Sequence, residues 1–228
     1  MDSNRKTARI VGVLFITALV SAMLSGVFLG STDDPDYLTA VSANENQVLV
    51  GVLFQLSLTA SVVAIPIIMF PIFKKQNEGL ALGYVVARTF EGFFDAVMAI
   101  SLLLLLTLSR EFVEAGAPVA PYFQTSGTLL QAVYDWSSVP ENFPYGLGVL
   151  ILNYMFYQSK LIPRWLSGWG LVGGTLMFAM GLLRMFGHSV YVLALPILFN
   201  ELVLAVWLIV KGFNSSAIAF ESAKTDIN

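Results

Sequence analysis

The sequence predicts an all-α fold: a polytopic transmembrane bundle of six helices, forming a single domain over residues 1–228 with both termini cytoplasmic. Three observations carry that prediction. First, 57% of the residues are hydrophobic and only 12% are charged, with a mean hydropathy of +0.76, far from the roughly 25% charged content of soluble domains. Second, a hydrocarbon core of about 30 Å takes about 20 helical residues to cross, and six stretches meet that length, near 10–30, 48–73, 80–108, 143–161, 165–186 and 190–210. Third, Arg5, Lys6, Arg9, Lys74, Lys75, Lys160, Arg164, Lys211 and Lys224 all fall on one side of the six spans, the bias that marks a cytoplasmic face. Asp33, Asp34, Asp36, Glu45, Glu111 and Glu114 fall on the other, where only Arg110 and Arg184 break the pattern.

The first segment follows a basic start and ends in SAMLSG, as a signal peptide can, but its apolar run from Ile10 to Leu29 is long for one. It is read as a span. The second and third are bounded by polar connections, ANENQ before and KKQNEG between them. The fourth is the least regular, because YDWSSVPENFPYG places Pro140, Pro144 and two acids ahead of its apolar part. Proline suits a first helical turn, so this helix is expected to start near Pro140 to Phe143, capped by Ser137 or Ser138, with the stripe Leu129, Leu130, Val133 and Trp136 lying on the outer interface. A continuous helix kinked at Pro140 is the alternative. The fifth and sixth are joined by the short RMFGHS turn, which holds the single histidine, His188, as a surface residue.

Small-xxx-small spacings at Gly26 and Gly30, Gly79 and Gly83, and Gly170 and Gly174 predict close helix packing, and leave room for a homo-oligomer formed through those faces. Trp165, Trp169, Trp207 and Tyr84 at one level, with Trp136 and Tyr145 at the other, fit the aromatic belts of a bilayer.

Several function classes drop out. A net charge of -3 without basic clusters leaves no footprint for nucleic acid. With no cysteine and one histidine, there is no thiol nucleophile, no thiolate metal site and no site built from several imidazoles, so no cofactor is expected. Glycine-rich phosphate loops, HExxH and a serine nucleophile elbow are absent. The lipid bilayer is the predicted partner, with a small molecule or proton as a possible ligand.

Against that background, residues 87–97, ARTFEGFFDAV, stand out. Positions three, four and seven apart share a helix face, so Arg88, Glu91 and Asp95 form one inward stripe of the third segment, with Gly92 beside it. At about 1.5 Å per residue, Arg88 lies about 12 Å, Glu91 about 16 Å and Asp95 about 22 Å from the cytoplasmic end; Asn153 lies about 12 Å, Glu201 about 14 Å and Asn200 about 15 Å deep. An unpaired charge at such depth costs about 2.5–3.5 kcal/mol or more. Arg88 is therefore expected to meet Glu201, or to share it with Glu91. Arg184 is expected to face Asp95, or else to reach back to the interface. Two arginines against three carboxyls leave one acid over, which makes Glu91 or Glu201 a candidate proton or cation site.

Two other readings of the same residues stand beside this one. Intramembrane polar groups can form a closed network that only joins helices, and Asn153 and Gln55 suit such helix–helix hydrogen bonds. Alternatively, Asp95 and Asp135 could form the carboxylate pair of an intramembrane enzyme, although Asp135 also suits a solvated interfacial position.

Through ARTFEG, including Arg88 and Glu91, and through SKLIPRWLSGWGLVGG, including Pro163, Arg164, Trp165 and Gly170, nearly the whole chain resembles a bacterial membrane family known as domain of unknown function 4386. The resemblance implies a six-helix protein of the bacterial inner membrane and assigns no substrate, cofactor or mechanism. Pro163 and Arg164 also have a plain structural explanation, as a first-turn proline followed by a cytoplasmic arginine.

Overall fold

The computed structural model describes residues 3–29, 36–117 and 120–214. Asp33, Asp34, Gly30 and Lys224, on which parts of the expectations above rest, lie outside them. Among the described residues the chain is helical throughout, without strands: α1 (Ser3–Leu29), α2 (Tyr37–Ala43), α3 (Glu45–Phe73), α4 (Glu78–Glu114), α5 (Pro121–Ser159), α6 (Arg164–Met185), a 3₁₀ turn at Tyr191–Ala194 and α7 (Leu195–Val210). In hydrocarbon every backbone donor and acceptor needs an internal partner, which a helix supplies within its own segment. Five of these helices, including α7 taken together with its 3₁₀ turn, are long and apolar enough to cross a membrane. α5 is not among the five, because Asn142, Pro144, Asn153 and Gln158 dilute its apolar stretch.

α5 departs from expectation. It does not begin near Pro140; it runs unbroken through Pro140 and Pro144 from Pro121. The stripe at Leu129, Leu130, Val133 and Trp136 is thus part of the same helix. A proline removes a backbone donor from the helix interior, and polar side chains beside these two also bond to the helix backbone. Ser137 Oγ donates to the Val133 carbonyl at 2.6 Å, and Asn142 Nδ2 donates to those of Ser138 at 2.7 Å and Val139 at 3.2 Å. Ser137 and Ser138 therefore act within the helix and do not cap it. Pro163 serves as the N-cap of α6, one position before the helical turn predicted for it.

The main core gathers Phe15 of α1, Met69 and Phe73 of α3, Tyr84 of α4, Phe156 of α5, Leu166 of α6 and Leu204 and Leu208 of α7. Phe73 is its hub, meeting Tyr84 at 6.1 Å and Phe156 at 5.4 Å in edge-on ring contacts. Tyr84 is therefore a core residue, contrary to its expected place in an aromatic belt. A second cluster, Tyr37, Leu38, Val41, Val48, Leu105, Leu106, Phe112 and Phe123, lies at the far end of α4, where α2 covers it. Large apolar side chains such as Phe90, Phe93 and Ile100 of α4 and Phe199 and Val206 of α7 point outward, the surface expected of helices solvated by lipid.

Close packing uses only some of the predicted glycines. Gly170 and Gly174 sit hard against Asn153, Val149 and Leu150 of α5. Gly26, by contrast, has nothing within 4 Å, Gly79 meets only the Asn77 side chain at 3.4 Å, and Gly83 makes an ordinary contact at 3.6 Å. α1 and α7 approach each other closely at Gly12, where an added Cβ would lie 2.7 Å from the Ala205 carbonyl oxygen.

Arg110, one of the two cations that break the charge pattern, forms a two-point ion pair with Glu45, its Nε 3.0 Å from Oε2. Both side chains are well exposed, and water screens such pairs so that they contribute little to stability. Arg110→Ala is accordingly expected to shift thermal unfolding in detergent very little; a loss of several degrees would mean that the pair anchors α3 to α4.

Candidate functional site

The inward stripe of α4 forms as its spacing requires. Asn77 caps the helix by accepting from the Leu80 amide at 2.9 Å, and the chain then turns without interruption through Arg88, Glu91 and Asp95, which are 3%, 4% and 2% exposed. Gly92 lets α3 approach closely, since a Cβ there would lie 2.8 Å from Val63 Cγ2. That approach brings Gln55 Nε2 within 3.0 Å of Asp95 Oδ1, so Gln55 is the helix–helix hydrogen bonder anticipated for it. Asp95 Oδ2 has no partner.

Arg88 pairs with Glu91, Nη1 to Oε2 at 2.9 Å. The approach is ionic and is not aligned as a hydrogen bond, and Arg88 Nε is also without an acceptor. The guanidinium lies over the Tyr145 ring, Cζ to centroid 5.3 Å. α5 makes room for it at Gly148, whose missing Cβ would fall 2.7 Å from Arg88 Cδ. Glu201 of α7 does not form the ion pair expected with Arg88; it stands beyond salt-bridge range, on the wall of the cavity that it shares with Tyr145. A partner three residues away on the same helix is already in place before α7 packs, which is why Glu91 wins the contact.

Arg184 does not pair with Asp95. It donates to the Ser138 carbonyl at 3.1 Å and to Ser138 Oγ at 2.8 Å, and its guanidinium lies over Tyr191 at 5.4 Å. The α5 backbone, continuous where a helix start was expected, supplies acceptors close to the end of α6. Asn200 and Asn153 are buried but turn away from the stripe. Asn200 Nδ2 donates to the Leu166 carbonyl at 2.8 Å, while Asn153 Nδ2 donates to Val149 of its own helix at 2.9 Å and its side chain packs on Gly170. Asp135 is exposed and does not border the cavity that Asp95 borders, so the Asp95–Asp135 carboxylate pair has no support.

What the stripe does border is a cavity of about 260 Å³. Arg88, Glu91, Asp95 and Glu201 line it, as do Glu141, which sequence reasoning did not select, and Tyr145, which it had placed in an aromatic belt. Both lie one helical turn apart near the two prolines of α5, so a helix continued through Pro140 was the signal that would have placed them. The remaining wall is apolar and comes from Phe15, Ala18 and Leu19 of α1, Leu58 and Val62 of α3, Met177 of α6 and Ile197 and Leu198 of α7. Six helices, α1 and α3 to α7, thus surround one mixed chamber in which several buried polar atoms lack partners. Such groups cost about 1–3 kcal/mol each when unsatisfied. Among the described residues no group of three or more His, Asp or Glu is placed to hold a metal ion.

The chain is similar to an uncharacterized protein of Archaeoglobus fulgidus, 28% identical over 74 residues, which is 32% of this chain and 45% of that protein. The match thus spans less than half of the relative's length. No solved structure matches. The profile of a family described as a domain of unknown function, DUF4386, matches residues 10–212, from the first third of α1 to just beyond the end of α7 and including every residue of the chamber, and the chain belongs to that family.

Proposed function

We propose that this is a six-span protein of the cytoplasmic membrane, with both termini inside, whose chamber binds a small molecule or a proton in transport or sensing. α5 is the sixth span in this reading. Its half from Phe143 onward packs between α4 and α6, and Asn142 and Asn153 are buried as the charges of α4 are. The observation that carries the function is the chamber itself. Four carboxyls and a guanidinium border about 260 Å³ of space, and unpartnered atoms remain on Arg88, Glu91 and Asp95. Charge inside a membrane is costly and marks ligand and proton pathways, and an assembly with a purely structural purpose has no use for empty space beside its charges.

The 2.9 Å Arg88–Glu91 pair favours the rival reading, a structural or accessory subunit whose charges only hold helices together. The two readings differ in access. The chain has no cysteine, so one introduced thiol is the only target for labelling. Ala18→Cys places it on the chamber wall, and Ala81→Cys places it in the solid core. Small, uncharged methyl methanethiosulfonate is expected to modify Ala18→Cys in membranes much faster than Ala81→Cys. Equal, slow rates would mean that the chamber is closed and the stripe is scaffold.

A further inference from the structure

We propose that the chamber takes an organic cation: a small molecule with an ammonium group carried on an apolar body. This rests on reading the chamber as an accessible binding site, and it adds the class of ligand. The charge count points the same way from every wall. α4 contributes Glu91 and Asp95, α5 Glu141 and α7 Glu201, against the single guanidinium of Arg88. Arg88 is engaged with Glu91, and Arg184 with Ser138. Among the described residues, no cation lies within ion-pair distance of Asp95, Glu141 or Glu201. The chamber is thus acidic overall, which attracts a cation and repels an anion.

Asp95 gives the excess a direction. The residue lines the chamber and is 2% exposed, Gln55 holds Oδ1, and the buried Oδ2 has no donor. A buried carboxylate oxygen of that kind matches the N–H of an ammonium group, which forms a charge-assisted hydrogen bond with it.

The shape selects an organic cation over a metal ion. A hard metal ion needs six or more oxygens converging on one point, and the described residues offer no such cluster. The acids are instead spread around a wall otherwise formed by Phe15, Leu58, Val62, Met177 and Ile197. Apolar walls with a few placed polar groups are the make-up of a small-molecule site. The rim points to the route of entry: Ala22 of α1 and Leu198 of α7 border the chamber and are exposed. Both are apolar, so the opening between α1 and α7 faces lipid and favours a ligand that partitions into the bilayer.

Protection of Ala18→Cys from methyl methanethiosulfonate tests the inference. Phenethylammonium is the probe, with 2-phenylethanol and phenylacetate as its neutral and anionic counterparts. Only the ammonium compound is expected to slow modification, and Asp95→Asn is expected to raise the concentration needed by roughly tenfold or more, the change that follows from losing a charged hydrogen bond. Asparagine can still accept from Gln55, and Glu201→Gln provides a second, independent loss of charge if Asp95→Asn does not fold. Equal protection by 2-phenylethanol would overturn the cation assignment, as would rapid modification that phenethylammonium leaves unchanged, which would point to protons alone. If Ala18→Cys is not modified at all, access itself is wrong and the function proposed above fails together with this inference.

Discussion

Arg88→Leu is expected to lower the unfolding free energy by about 3–5 kcal/mol, because removing one partner leaves an uncompensated buried charge. The geometry concentrates that effect on one side chain. Among the described residues Arg88 is the only cation bordering a chamber with four carboxyls, it touches Glu91 at 2.9 Å, and it fills the space kept open by Gly148. Leucine removes the charge from the midst of the acids and cannot replace the stacking on Tyr145. Glu201→Gln, by contrast, removes a carboxylate that has no cation at contact distance; it is expected to be tolerated. Thermal unfolding in detergent at neutral pH separates the two. If Arg88→Leu melts with the wild type, the Arg88–Glu91 pair does not hold the bundle together.

Gly12→Leu is expected to cost about 1–3 kcal/mol or more, the range for overpacking a tight contact. An added Cβ would lie 2.7 Å from the Ala205 carbonyl oxygen and 2.8 Å from Ile209 Cγ1. A side-chain tip could turn aside, but a backbone carbonyl inside α7 cannot, so α1 and α7 must separate. The same two helices border the chamber further along, at Ala18 to Ala22 and Ala194 to Glu201. The variant should therefore also speed modification of a thiol at position 18. A Gly12→Leu protein with wild-type melting and labelling would show that the two helices are not clamped there.

Much of this structure could be read from one stretch of sequence. ARTFEGFFDAV carries its own geometry, because the spacing of Arg88, Glu91 and Asp95 fixes a common face whatever the neighbours do, and an apolar flank leaves only the interior for charges. Partner choice was harder. Depth matching brought Glu201 to the level of Arg88, yet it could not weigh Glu201 against Glu91, which needs no assembly of α7 to reach the guanidinium. Gln55 was legible as a hydrogen bonder but not as the partner of Asp95, because that contact depends on how closely Gly92 lets α3 approach. The largest gap was α5. Local rules stop a helix at Pro140, whereas α5, packed against α4 and α6, runs on through it. That difference hid Glu141 and Tyr145 and sent Arg184 to the wrong partner. The glycine spacings failed for a related reason: small residues four apart permit a close contact, but only the packing of the whole bundle determines which of them make one.

α4 has 37 residues, about 55 Å at 1.5 Å per residue, and the hydrocarbon layer is only about 30 Å thick. With Arg88 and Asp95 at membrane depth, as proposed, the far end of α4 stands in water together with α2 and the start of α5. The two clusters along this one helix are then held by different forces. Around Tyr84 and Phe156 the surroundings are as oily as the side chains, so fit and contact alone hold the helices together. Around Tyr37, Phe112 and Phe123 the exclusion of water does the holding, and that force weakens on cooling. Chilling should therefore loosen the cap formed by α2 while the chamber and its charges keep their shape, a protein sensitive to cold at one end only.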